Sequence, residues 1–448
     1  MARLGDALDD RTGFRGPLRR AVGRLFPGAW SFLLGEVTLF SLVGLLLSGV
    51  YLALFFDPSA SLAPYHGAST PYVGRTLPGA FASVLDLDAR VPFGLVVRRF
   101  HHFSAHLFLA SLVAHAARVY FTGAFRRPRD LTWWVGLVLL ALALINGFSG
   151  YCLPFDMRGG TAIRMLMTTL GSVPWIGGWL ATLAFGAPFP GPLILGRLYI
   201  LHVFVGPALI VALLGAHLFL VIRLTHTDHP GPGRSERLEV GSPLWPVQTM
   251  RTTVVAFLVF GWCALMSTFF PVEAVEVYGP FQYTNAYAPL LPDWFLMWIE
   301  GAFRLLPRQL DFHLIGAHFS NPFYGAVVLP LIVFGGCALY PLVDERIYPQ
   351  PLHGRHLLES PSDRPFRTAF GASGLVFLVF VSMAALDDRA ASAFRADVWQ
   401  VNVVWGILTL SVPPVAFAAV YLWLRRRRAT TRPQTFLVPQ MPARKHSS

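Results

Sequence analysis

The stretch RRFHHFSAHLFLASLVAHAARVYF, residues 98–121, carries His101 and His115; the stretch RLYILHVFVGPALIVALLGAHLFL, residues 197–220, carries His202 and His217. Both are strongly apolar and long enough for a bilayer-spanning helix, which needs about 20 residues. On an α-helix, 14 positions return to within about 40° of the same face and 15 positions to within about 60°. The two members of each pair therefore share a face and stand roughly 21–22 Å apart along the axis. Two such helices side by side offer two stacked bis-histidine sites, one near each membrane surface.

The rest of the chain has a matching composition. Its 448 residues are 54% hydrophobic and only 13% charged, whereas soluble proteins carry about 25% charged residues. An all-α polytopic membrane protein is expected, surrounded by membrane lipid. Eight spans are expected near 33–56, 99–122, 132–152, 197–223, 252–271, 323–343, 367–386 and 402–424. The net charge of +12 comes almost wholly from arginine, with Lys445 the one lysine. These arginines cluster in loops between apolar segments, as topology signals do, so no nucleic-acid partner is expected. An N-in and C-in orientation puts most of them inside, including Arg425 to Arg428. Residues 9–30 are basic and amphipathic and read as a surface segment, with no cleavable leader before the first span.

Four regions follow: a surface segment 1–30, a four-helix domain 31–230, a C-terminal domain 231–425 and a basic tail 426–448. Two long outer loops, 153–196 and 272–322, are too apolar for solvent and are expected to fold back and build a pocket. Cys152, Cys263 and Cys337 are isolated and form no CxxCH or CxxC motif. A covalent haem or an iron–sulfur cluster on this chain is therefore not expected.

Helical geometry separates the histidines of the first stretch. His102 lies about 140° and His106 about 180° around the helix from His115, so only His101 shares its face. A single intramembrane histidine usually bonds a neighbouring helix. Four at a double spacing point instead to ligands, because ionisable groups in a membrane are costly. The ligand set is that of two non-covalent b-type haems in series. Arg98 lies three residues before His101 and Arg118 three after His115, each placed for a haem propionate. Gly35 and Gly49 repeat the 14-residue spacing, as do Gly136 and Gly150. Glycine lets a flat macrocycle approach the backbone.

These residues resemble cytochrome b, the haem-bearing core of the quinol–cytochrome c reductase complexes, over residues 28–424. WSFLLGE at 30–36, GVYLALFFDPS at 49–59, FTGAFRRPRDLTW at 121–133 and HPGPGRSE at 229–236 resemble the actinobacterial form. The resemblance implies a respiratory subunit that oxidises menaquinol near the outer face and works by bifurcation. One electron goes to a Rieske-type iron–sulfur subunit, and the other crosses through a low-potential haem on His101 and His202 and a high-potential haem on His115 and His217. An inner quinone site receives it, with proton translocation. The resemblance also implies a cytochrome c subunit, a homodimer and association with a haem–copper oxidase.

In that family the outer quinol site is marked by a P-E-W-Y motif. Here it reads Pro292-Asp293-Trp294-Phe295. By resemblance Asp293 accepts a quinol proton, and burial is expected to raise its pKa. Tyr151, with Pro154, Phe155 and Met165, is a candidate for the opposite wall. The inner quinone site is weakly marked: Ile222 and Thr252 stand where the family has a histidine and an acid. Trp30, His226, Asp228 and Arg251 are candidates there. Two other readings stay open: a non-bifurcating dihaem anchor for a dehydrogenase or hydrogenase, and a haem-free proton-coupled transporter.

Overall fold

In a bilayer every backbone polar group must find an internal partner, so long apolar runs wind into helices. The computed structural model describes residues 23–186, 191, 193–231, 234–236, 240–272, 274–284, 290–349 and 356–430. Most of the expected surface segment and most of the basic tail lie outside these residues. Among the described residues, seven helices are long and apolar enough to cross a membrane. They are α1 (Trp30–Ala53), α4 (Asp130–Cys152), α7 (Ile194–Leu224), α8 (Leu244–Phe269), α10 (Asn321–Ile347), α11 (Pro365–Ala384) and α13 (Val398–Thr430). The remaining expected span is α3, Gly94–Phe121, which follows the short helix α2, Gly79–Ala89. Its 28 residues suffice in length, but histidines and arginines spread along it interrupt the apolar run.

Helices α1, α3, α4 and α7 pack as a bundle, and α8 lies against α1 and α3. Small side chains let α1, α3 and α8 come close: a Cβ on Gly44 would lie 3.2–3.4 Å from Phe100, Ser104 and Phe260. Leu42, Phe108, Leu109, Leu139, Ala143 and Ile210 fill the bundle centre together with Phe295, which arrives from the far loop. Helix α11 pairs with α13, and α9 (Met297–Leu305) packs on α11. A short helix, α12 (Asp387–Phe394), lies between α11 and α13 in the chain.

Two spans differ from expectation at one end. The segment of α8 starts at Leu244, but Trp245 is extended (φ −111°, ψ 132°), as a residue before a proline tends to be, and regular α-helix runs Thr249–Phe269, close to the expected 252. Residues 242–243 also pair with Leu25–Phe26 in a two-stranded ladder. Helix α13 runs past 424 through its four arginines, which are good helix formers.

At the His101 end, the two long loops join. Met157 N–H donates to Gly279 O at 3.0 Å and Phe281 N–H to Phe155 O at 3.0 Å. The first loop holds α5 (Met157–Gly171) and α6 (Gly177–Phe185); the second holds α9 and the hairpin Phe312–Leu314/Ala317–Phe319. The Trp175 indole N–H ties them again through Ile315 O at 3.0 Å.

At the His115 end, the Glu359 carboxylate receives Arg126, Arg364 and Arg367 at 2.9, 2.5 and 2.6 Å. Arg367 is fully buried and also faces Asp344. Burial alone would raise the Glu359 pKa, but hydrogen bonds and charges from these three arginines hold it at about 2. Gly123, at φ +64°, turns the chain beside Arg367 where a Cβ would lie 2.7 Å from a guanidinium nitrogen.

Candidate functional site

The structure brings the four histidines together in the two expected pairs. His101 and His202 face each other with ring centroids 6.1 Å apart. Two imidazole nitrogens bonded to one metal at about 2.0 Å each need this order of separation. His115 and His217 both line a cavity of about 310 Å³ with Gly35, Gly136 and Arg118. A Cβ on Gly35 would lie 3.4 Å from His115 Cε1, and on Gly49 3.3 Å from His101 Cε1. On Gly136 it would lie 3.6 Å from His217 Cε1, and on Gly150 it would collide with the His202 ring, 2.9 Å from both nitrogens. At each of these glycines an added Cβ would meet one imidazole ring, one glycine to one histidine.

Hydrogen bonds orient two of the rings. His202 Nδ1 lies 2.9 Å from Asn146 O, so its N–H donates there and Nε2 keeps a lone pair for a metal. Ser48 Oγ donates to Gly44 O at 2.6 Å and so accepts from His101 Nδ1 at 2.9 Å. The buried Nδ1 atoms of His115 and His217 have no well-formed hydrogen bond among the described residues.

The symmetric arginines diverge. Arg98 is clamped to Asp88, with Nε–Oδ1 2.7 Å and Nη2–Oδ2 2.5 Å, and so already holds a carboxylate. Arg118 stacks over Phe32 at 3.9 Å and has buried Nε and Nη2 atoms without partners among the described residues. Of the two, it is the guanidinium left for an outside anion. Trp30 is mostly exposed, and neither it nor Arg251 lines the cavity beside His115. Glu36, Gln248 and His226 do line it, and Gln248 Nε2 donates to Glu36 Oε1 at 2.8 Å. Nothing in the local spacing of Glu36 or Gln248 marks them.

The Pro292–Phe295 motif sits where the joined loops meet the bundle. Asp293 Oδ1 accepts from Arg158 Nη2 at 3.1 Å, with both side chains near 10% exposed. The carboxylate thus has a cationic partner that the motif itself does not reveal. Arg158 also lies 5.1 Å from the ring centres of Tyr151 and Tyr278, so it gathers Tyr151 and Asp293 into one site. Phe295 is buried and packs against Gly147, so the absence of a hydroxyl at this position leaves no buried polar group to satisfy. The half-exposed Trp294 donates its indole N–H to His106 Nδ1 at 3.0 Å. Pro292 is partly buried beside them. Neither Arg158 nor His106 is assigned to this site by sequence pattern.

Comparison with known proteins supplies the family. A family model described as cytochrome b (N-terminal)/b6/petB matches residues 106–280. The cytochrome bc1 complex cytochrome b subunit of Mycobacterium tuberculosis is 38% identical over 425 residues, 94% of this chain and 77% of that protein. The subunit of the same name from Corynebacterium diphtheriae is 36% identical over 421 residues, 94% of this chain and 77% of that protein. That from Streptomyces coelicolor is 35% identical over 432 residues, 95% of this chain and 78% of that protein. A solved chain of a hyperthermophilic respiratory Complex III shares the fold, with TM-score 0.67 and 20% identity over 93% of this chain and 100% of that one. The chain belongs to the cytochrome b subunits of bc1-type complexes, and is a multi-pass plasma-membrane subunit of a respiratory oxidoreductase.

Proposed function

We propose that this cytochrome b oxidises menaquinol near the outer membrane face and returns one of each two electrons to a quinone near the inner face. The observation that carries it is the one-to-one match of four glycines to four histidines, with the rings paired at two levels of one bundle. His101 and His202 would hold one b-type haem, and His115 and His217 a second. When bound, the two haems supply a one-electron path across the membrane.

The chain's own residues do the rest. Asn146 and Ser48 set the tautomers of His202 and His101. Arg118 receives a propionate beside the His115–His217 pair. Asp293 accepts a quinol proton, and Arg158 stabilises its charge while competing with that proton. Tyr151 and the ring of Trp294 wall the quinol site, and Pro292 shapes the turn that aims Asp293. Near Glu36, Gln248 and His226, the second quinone is reduced with protons drawn from the inner side. Eight spans, with N- and C-termini inside, and division into a dihaem domain and a quinol-loop domain belong to the same proposal. So do a Rieske-type iron–sulfur subunit and a cytochrome c subunit as partners, since this chain has no motif for either centre.

A haem assay on the purified complex tests the ligands. His101→Ala is expected to lose one b haem, whereas His102→Ala keeps both; equal haem content in the two variants refutes the assignment. Oxidant-induced reduction of the b haems, with the inner site blocked, is expected for bifurcation and absent from a non-bifurcating anchor.

A further inference from the structure

We propose that His102, His106 and Asp293 form a binding site for a divalent transition-metal ion, distinct from the two histidine pairs. His102 and His106 stand four apart on α3 and so share one helix face, the one turned away from His115. Their Nε2 atoms are 2.7 Å apart. One donor atom of each, with a carboxylate oxygen of Asp293, lies within 4.8 Å of the others, and all three residues are partly buried. Two imidazoles and one carboxylate select zinc, copper or nickel over the oxygen-seeking calcium and magnesium. Tetrahedral zinc with bonds of about 2.0 Å sets its donors about 3.3 Å apart. The two rings then part by about half an ångström, and the Asp293 carboxylate rotates inward.

Two neighbours weigh against the ion, and they make the proposal sharp. Arg158 already offsets the Asp293 charge at 3.1 Å. The Trp294 indole can only donate, so His106 Nδ1 accepts and the His106 proton sits on Nε2, shared with His102. A metal on His106 Nε2 drives that proton to Nδ1, where it meets the Trp294 N–H. Metal binding therefore breaks the Trp294 bond, and removing that donor favours the metal. The binding site stands without the quinol assignment. Its consequence, that an ion here occupies Asp293 and slows quinol oxidation, rests on the proposed function.

The test is equilibrium dialysis of radioactive Zn²⁺ against the purified complex, with the haem spectrum as the folding control. His106→Ala, or His102→Gln if the first variant misfolds, is expected to weaken binding at this site at least tenfold. Trp294→Phe is expected to tighten it severalfold, and Ca²⁺ not to compete. Unchanged zinc affinity in a histidine variant with a normal haem spectrum overturns the site, as does weaker binding in Trp294→Phe. Zinc binding that follows the variants while turnover ignores zinc overturns only the quinol consequence.

Discussion

A methyl group on residue 150 has nowhere to go: it would lie 2.9 Å from both nitrogens of His202, in a ring held by a hydrogen bond to Asn146 O. On residue 136 it would make an ordinary 3.6 Å contact with His217. Gly150→Ala is therefore expected to lower haem content, from two towards one per chain on the proposed assignment, while Gly136→Ala leaves it unchanged, as read by a pyridine haemochromogen assay. Asp293→Asn removes the proposed proton acceptor and is expected to slow quinol oxidation about 10²-fold or more with normal haem content; steady-state turnover checks it. The histidine and glycine spacings are legible in the sequence because each lies on a single helix whose period is known. The partner of Asp293 is not, because Arg158 is 135 residues away and no local pattern links the two. The bond from Arg98 to Asp88 on α2 is likewise absent from the spacing that relates Arg98 to Arg118.

At the scale of elements, the loop at 356–364 does more than connect α10 to α11. Glu359 ties it to Arg126 from the α3–α4 turn and to Arg364 and Arg367 at the start of α11. A carboxylate held at about 2 in the fold, against about 4.3 when unfolded, stabilises the protein above pH 4.3. That contribution fades as the pH falls through 4.3 towards 2. Glu359→Gln removes the charge that Arg126, Arg364 and the fully buried Arg367 share, and is expected to cost about 3 kcal/mol or more at neutral pH. Below about pH 4.3 the variant and wild-type midpoints of thermal unfolding are expected to converge. Parallel midpoints down to pH 3 would refute the ion-pair account. The spans themselves are readable from apolar length, and the extended Trp245 ahead of α8 is readable from Pro246, which keeps the residue before it out of the helical region. The joining of the two long loops follows from their apolar character. Their register, Met157 on Gly279 and Phe281 on Phe155, depends on a three-dimensional fit that composition does not encode.

At the scale of the molecule, the bundle is not finished by its own helices. Phe295, carried on the loop after α8, occupies the centre among Leu42, Phe108, Leu109, Leu139 and Ile210. Phe295→Ala is expected to destabilise the protein by about 3 kcal/mol or more and to loosen bound haem, measured as faster haem loss on warming. Unchanged haem retention would show that the ring only decorates the bundle. The membrane class and the paired histidines are legible from composition and spacing, but this plug is not, because nothing near residue 295 announces a partner in α3 or α4. Its consequence concerns time. As the ribosome delivers the chain, α1, α3, α4 and α7 are all made before residue 295 exists, so the nascent bundle waits with an open centre. Maturation of the first half is thereby scheduled by the arrival of the second.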